Sequence, residues 1–166
     1  MSEKFYISDT HFSHDNILKF EGEARPFSSI EEHDEELIKR WNERVGANDT
    51  VLHLGDVCFK PATSMDAILP HLNGKKSLIM GNHDTAPIDR YLKYFKILPI
   101  MTTKDSAIIF SHYPLHPSQL DFRYGVNVHG HCHSKSLDDP RYVNISCEHT
   151  NLAPLSHDEL IERIKP

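Results

Sequence analysis

Five short fragments hold the side chains able to do chemistry: Asp9-Thr10-His11, Gly55-Asp56, Gly81-Asn82-His83-Asp84, Ser111-His112 and Gly130-His131-Cys132-His133. Their carboxylate, amide and imidazole groups are what a two-metal hydrolytic centre needs. Each fragment follows an apolar run that reads as a strand. On an extended chain residues two apart share a face, so Asp9 with His11, and His131 with His133, are each expected to point at one spot. Asp56 has two oxygens and can bridge two cations, Asn82 offers a neutral carbonyl oxygen, and His112 adds an imidazole. Asp9, His11, Asp56, Asn82, His112, His131 and His133 are therefore the candidate metal ligands. A single Asp-x-His or Gly-Asp pair recurs by chance; five such fragments in order carry much more weight. A donor set of this kind, without cysteine, suits two divalent transition-metal ions, Mn²⁺, Zn²⁺, Fe or Ni²⁺, better than an all-oxygen Ca²⁺ or Mg²⁺ cage.

Positioning these groups requires strands that end at a common edge. Six apolar runs read as strands: Lys4 to Ser8, Thr50 to Leu54, Ser77 to Met80, Ala107 to Ser111, Val126 to Gly130 and Arg141 to Ser146. Most are nearly continuous Val, Ile, Leu and Phe, as in strands covered on both faces. Between them, Ile30, Leu37, Ile38, Trp41 and Val45 share one face of a helix, with Ser29 and Glu32 as its capping box and Gly46 at its end. Ser156 and Glu159 form a second capping box, opening a C-terminal helix with Leu160, Ile161 and Ile164 apolar. Weaker helical patterns run from Ser64 to Leu72 and from Ile88 to Phe95. The alternation predicts an α/β layered fold, in which ligands gather at the carboxyl ends of strands, and all five fragments sit there.

The length of 166 residues fits one domain spanning 1–166, with enough chain to bury a substantial core. Hydrophobic residues at 39% and charged residues at 25% give an ordinary globular mixture. Three cysteines, Cys58, Cys132 and Cys147, with no C-x-x-C pair, argue against a disulfide framework or a thiolate zinc site. With no apolar run long enough for a membrane span or a secretion signal, the expectation is a soluble cytoplasmic protein without a membrane partner. The net charge of −6 and the absence of a long Lys/Arg cluster argue against binding to long nucleic acid. Two divalent cations in one cleft would still attract a small anionic substrate.

The chain resembles the calcineurin-like metallophosphoesterases over nearly its whole length, and the Ser8-Asp9-Thr10-His11-Phe12-Ser13-His14 opening resembles small bacterial and phage-encoded members. That resemblance implies a layered αββα sandwich of two mixed β-sheets flanked by helices, with ligands on the loops after the strands. It assigns Asp9, His11, Asp56 and His133 to one metal, and Asp56, Asn82, His112 and His131 to the other. It also places His83 beside the metals rather than on them. The Gly-Asp-x-x-Asp-Arg-Gly element of Ser/Thr protein phosphatases is missing, because Gly55-Asp56 continues Val57-Cys58-Phe59-Lys60, so the Arg that grips phosphate there has no counterpart.

The implied reaction is phosphoester hydrolysis, with cations about 4 Å apart holding a bridging hydroxide. His83 is the expected donor to the leaving oxygen, with Asp84 orienting its ring or interacting with it. His14, Arg25 before Pro26-Phe27, and Arg123 in the polar segment from Pro114 to Gly125 are candidate substrate contacts. His53 and His129, inside strand patterns, read as hydrogen-bonded core or supporting groups, while His33, His71, His149 and His157 read as non-functional. The substrate is expected to be a small nucleotide or similar phosphorylated molecule, cleaved as a diester or a monoester. A nuclease acting on short oligonucleotides and a non-catalytic binding module of the same fold are the alternatives.

Overall fold

Alternate residues of β1 (Lys4–Ile7) serve two different cores. Phe5 and Ile7 pack with Leu37, Trp41, Val51, Met65 and Leu78, whereas Tyr6 packs with Leu52, Phe110, Val128 and Leu160. The structure, a computed structural model, describes residues 2–102, 108–122 and 125–164. β1 pairs in parallel with β2 (Thr50–His53), β2 with β3 (Lys75–Ile79), and β3 with β4 (Phe95–Leu98). The two-residue β9 (Leu155–Ser156) runs antiparallel to β1 and completes a five-stranded sheet of order β4-β3-β2-β1-β9.

The second sheet has order β5-β6-β7-β8, built from β5 (Met101–Thr102), β6 (Ile108–Phe110), β7 (Val126–His129) and β8 (Tyr142–Asn144). It is parallel from β6 to β8 and antiparallel at β5. Tyr6 and Phe110 stack across the two sheets with centroids 5.2 Å apart. A bridge between Ser8 and Ser146 ties the ends of the sheets together where β1 and β8 finish. The expected pair of mixed sheets flanked by helices is therefore present.

The helix α2 (Ile30–Arg44) buries Leu37 and Trp41 against the first sheet. Ser29 accepts from the Glu32 N–H, but Glu32 reaches back to Ser28 N–H rather than to Ser29. The second capping box forms in both directions: Ser156 N–H donates to Glu159 Oε2 at 2.7 Å and Glu159 N–H to Ser156 Oγ at 3.3 Å, opening α6 (His157–Ile164). Shorter helices α1 (Ile17–Phe20), α3 (Pro61–Ile68), α4 (Ile88–Leu92) and α5 (Ser118–Phe122) fill the connections. No described helix is long and apolar enough to cross a membrane.

Two expectations change. The helix predicted to reach Phe95 stops at Leu92, and Phe95 instead opens β4, because β3 offers an unpaired edge with Leu78 and Ile79 beside it. Pairing to an existing sheet outweighs a weak helical pattern. β9 lies where only a helix start was predicted, since two residues leave no periodicity to read.

Candidate metal centre

The loops leaving β1 and β2 are zipped to each other by their backbones. Asp9 N–H donates to Gly55 O and His11 N–H to Asp56 O, both at 3.0 Å. Gly55 has φ +104°, and a Cβ there would lie 2.5 Å from the Gly81 nitrogen, so the third loop packs against it at a distance only glycine permits. On the other sheet, Gly130 N–H donates to His112 O at 3.0 Å. Asp9, His11, Asp56, Asn82, His112, His131 and His133 are all carried by these loops, at the end of the sandwich where β1, β2, β3, β6 and β7 finish.

The two Asp/His-x-His pairs are not extended, as strand geometry had predicted. Asp9, His11, Asp56, His131 and His133 have φ of 57°, 48°, 57°, 66° and 49°, in the left-handed region. Asp and His tolerate that region better than most residues, yet five such positions in one place store strain that the interlocked loops must hold. The alternation of left-handed residues, rather than the pleat of a strand, turns both members of each pair into the cleft.

Two clusters result, Asp9 with His11 and His133, and Asp56 with His112 and His131, each with donor atoms within 4.8 Å of one another. Asp56 Oδ2 lies 3.5 Å from His11 Nε2 and 3.5 Å from His112 Nε2, between the two groups. Asp9 Oδ1 is 3.9 Å from His11 Nε2 and 4.0 Å from His133 Nε2. Asn82 Oδ1 is 3.1 Å from His112 Nε2. The other oxygen of each carboxylate is engaged: Asp9 Oδ2 accepts from His131 N–H and Ser146 Oγ, and Asp56 Oδ1 from His83 N–H.

Ring orientation is set from behind. His112 Nδ1–H donates to Leu54 O at 2.7 Å, and His133 Nδ1–H to Glu148 Oε1 at 3.1 Å, leaving each Nε2 with its lone pair toward the cleft. Burial pushes the His11 imidazole well below 6.5, against the attraction of Asp56, so it is neutral and able to donate a lone pair. Burial opposes ionisation of Asp56 too, but the neighbouring His112 imidazole and the His83 N–H hold it at about 2. Asp9 Oδ1 and both ring nitrogens of His11 are buried without a hydrogen-bond partner among the described residues. Buried orphan donors and acceptors are costly, and cations between these carboxylate and imidazole atoms would satisfy them, so the residues fit a pair of metals.

Residues 5–164 match the calcineurin-like phosphoesterase family. The chain belongs to that family. Among relatives, an uncharacterized protein of Methanocaldococcus jannaschii is 34% identical over 174 aligned positions, covering 99% of this chain and 93% of the relative. The Gene 66 protein of Mycobacterium phage D29 is 28% identical, covering 89% of each. A solved structure of a protein of unknown function from Aquifex aeolicus superposes with a TM-score of 0.76 at 26% identity, covering 98% of this chain and 99% of that one. This calcineurin-like phosphoesterase is thus a metal-dependent hydrolase of phosphoric esters with two candidate metal sites.

Several sequence-based roles need correction. Arg25, expected to grip phosphate, is fully buried and makes four hydrogen bonds and an ion pair inside the protein. It donates to Asp9 O at 2.6 Å, Thr10 O at 3.0 Å, His33 Nε2 at 2.9 Å and Glu148 Oε1 at 2.8 Å, and its Nη2 is ion-paired with the same Glu148 oxygen at 2.7 Å. It clamps the first loop from below. Asp84, expected to orient the His83 ring, accepts instead from the N–H groups of Asp56, Val57 and Gly81 at 2.8, 3.0 and 2.8 Å, pinning the second and third loops together. Burial raises its pKa against those three bonds. His14 does reach the centre, 5.3 Å from the His11 ring, but it is stacked on Phe59 at 4.0 Å and only 8% exposed, a wall of the site rather than an arm toward substrate. Arg123 lies outside the described residues.

Glu148 was missed altogether. Its Oε1 joins Arg25 to His133, and the hydrogen bond from His133 and the charge of Arg25 hold the carboxyl at about 2 despite burial. His33, read as non-functional, extends the same chain: it accepts from Arg25, and its Nδ1–H donates to Asp34 Oδ1 at 2.8 Å. Asp34 Oδ2 then accepts from Ser13 N–H at 2.9 Å. The one available signal for this chain was His33 and Asp34, polar residues within the first turns of an amphipathic helix. His53 Nε2–H donates to Thr10 Oγ1 at 3.0 Å while its Nδ1 accepts from Gly55 N–H at 3.1 Å, a buried hydrogen-bonded histidine whose pKa falls to about 3 through burial.

Proposed function

We propose that the protein hydrolyses small phosphoesters at a dinuclear centre whose cations are Mn²⁺, Zn²⁺, Fe or Ni²⁺. The observation that carries this reading is the place of Asp56 Oδ2, 3.5 Å from one imidazole of each cluster. Asp9, His11, Asp56 and His133 would hold one cation, and Asp56, Asn82, His112 and His131 the other. When bound, such cations supply Lewis-acid polarisation of the phosphoryl oxygens and acidify an attacking water.

The chain's own residues do the rest. Leu54 O and Glu148 keep the Nε2 lone pairs of His112 and His133 aimed inward, so those rings need no reorientation on loading. Asp9 Oδ2, held by His131 N–H and Ser146, keeps Oδ1 directed at the first cluster. His83 has its N–H fixed on Asp56 Oδ1 at 2.8 Å and its exposed ring 5.3 Å from that of His11. Its imidazolium would protonate the leaving oxygen as the P–O bond breaks, the role that best suits an exposed imidazole beside the centre. Stacked His14 and Phe59 form the wall next to it, their rings 6.3 and 5.9 Å from that of His83.

The substrate class is a small nucleotide or a similar phosphorylated molecule, as a diester or monoester. The net charge of −6 supports a small substrate over a long polynucleotide. The match over residues 5–164 supports one catalytic domain, and three free cysteines support a cytoplasmic setting. The test is a panel of monoester, diester, cyclic and pyrophosphate substrates with each metal loaded, alongside elemental analysis. Hydrolysis with about two metal equivalents is the expected result. No hydrolysis of any ester with any of the four metals would overturn it in favour of a binding module. Activity on oligonucleotides that falls steeply with salt, absent on mononucleotides, would shift the substrate to short nucleic acid.

A further inference from the structure

Beside the candidate metal centre, the carboxyl ends of β3 and β4 and the turn after β6 enclose a cleft of about 570 Å³. Met80 and Leu98 line it at the ends of β3 and β4, Ile100 from the turn between β4 and β5, Tyr113 and Leu115 from the turn after β6, and His112 also borders it. The cleft and the metal centre therefore share His112, and Tyr113 stands between them. Tyr113 is 47% exposed, with its ring centroid 4.9 Å from that of His112 and 4.6 Å from that of His131.

The Tyr113 wall is held in place before any ligand arrives. Ser111 Oγ donates to Tyr113 O at 2.6 Å, and the fully buried Asn127 donates to Ser111 Oγ at 2.9 Å. Asn127 Oδ1 accepts from Leu115 N–H at 2.8 Å, while Tyr142 OH donates to Leu115 O at 2.6 Å. The same bonds consume the Ser111 hydroxyl, and Leu54 O takes the Nδ1–H of His112. What the cleft presents is apolar surface and one aromatic face, which selects by shape and hydrophobicity with little hydrogen bonding.

We infer that this cleft receives a ring-bearing, weakly polar organic group of the phosphoester while the phosphoryl group lies at Asp56. The inference rests on the phosphoesterase reading and adds to it the class of group attached to phosphorus. An apolar cleft that shares His112 with the metal centre adjoins a phosphoryl group held there, and a single aromatic ring fits its volume. A nucleobase would enter with its polar edge unpaired, which favours a simple aryl ring over a base.

The test is calorimetric titration of the Zn²⁺-loaded protein with methylphosphonate and phenylphosphonate, which offer the same anion with and without the ring. Phenylphosphonate is expected to bind at least about tenfold tighter, from the apolar area a phenyl group buries. Ile100→Ser, at an exposed position, should cut that ratio to below about threefold. The δ1-methyl resonances of Ile79, Ile97 and Ile100, which border the cleft, should shift with phenylphosphonate and stay in place with methylphosphonate. Equal affinities with unmoved methyl resonances would overturn the inference. If neither phosphonate binds, the phosphoesterase reading fails by itself, and phenol titrated into the metal-free protein then reads the cleft alone. Shifted methyl resonances would keep the cleft assignment, and unshifted ones would end it. Adenosine monophosphate binding about tenfold tighter than phenylphosphonate would contradict the choice of an aryl ring over a base.

Discussion

Glu148→Gln isolates the support behind one metal site from the site itself. The Glu148 side chain is 1% exposed, and its Oε1 accepts from Arg25 Nε at 2.8 Å and His133 Nδ1 at 3.1 Å and is ion-paired with Arg25 Nη2 at 2.7 Å. Glutamine keeps an acceptor oxygen of nearly the same size but loses the charge. Arg25 is left buried with only neutral partners, Asp9 O, Thr10 O and His33. Losing charge-assisted bonds of this kind costs about 2 kcal/mol, which lowers Tm by roughly 4–8 °C in a chain of this length. The His133 ring also loses the carboxylate that fixes its tautomer and raises its basicity. Removing such a partner weakens a metal by about 10–100-fold, or roughly 1.4–2.7 kcal/mol. Competitive titration against a fluorescent chelator should show one of two equivalents weakened by that factor and the other within about threefold of the parent, since Glu148 touches no residue of the Asp56, His112 and His131 cluster. Two equivalents of unchanged affinity, in a protein whose Tm has fallen as expected, would refute the claim that Glu148 acts through His133.

Four further outcomes follow from the same geometry. Asp56→Asn should reduce bound metal from about two equivalents to below one by elemental analysis, because the shared oxygen lies 3.5 Å from both His11 and His112; two tightly held equivalents would rule out bridging. His83→Ala should lower kcat by about 10²–10⁴ with metal content retained, and loss of metal would reassign His83 as a ligand. Gly81→Ala should lower stability by about 1–3 kcal/mol in a denaturant titration and weaken metal binding, since the new Cβ would clash with Asp56 Oδ1. Ser156→Ala should cost about 1 kcal/mol at the start of α6 and leave metal affinity alone, which a thermal melt with and without metal would show.

The fragments that carry ligands were legible because their residue types are unusual immediately after apolar runs. The strands β1, β2, β6 and β7 were legible because continuous burial leaves Phe5-Tyr6-Ile7 or Ile108-Ile109-Phe110 in plain view. β5 and β9, with two residues each, have no period to detect, and β4 exists because a parallel neighbour was there to pair with. The conformation that turns the pairs inward was also hidden. An Asp-x-His pattern reads the same whether the chain is pleated or alternates through left-handed φ, and only the backbone bonds Asp9 N to Gly55 O and His11 N to Asp56 O decide between them.

Roles within the centre were harder to read than membership of it, for a physical reason. Metal ligands and the groups that hold them are drawn from the same residue types, so a buried Asp or Arg near the cleft is ambiguous until its partners are known. Asp84 and Asp56 are both buried acids after glycine-containing loops, yet one accepts three backbone N–H groups and the other leaves Oδ2 between two imidazoles. Arg25 had the charge to bind phosphate, but its partner Glu148 lies 123 residues away in sequence, and no local pattern reports a contact at that separation. A carboxylate whose two oxygens already take three backbone N–H donors is held away from a cation, and a guanidinium turned onto Glu148, Asp9 O, Thr10 O and His33 has its donors spent before a phosphate arrives. Saturation of the hydrogen-bonding inventory, more than residue type or distance from the cleft, separates the groups that build this centre from the groups left free to bind within it.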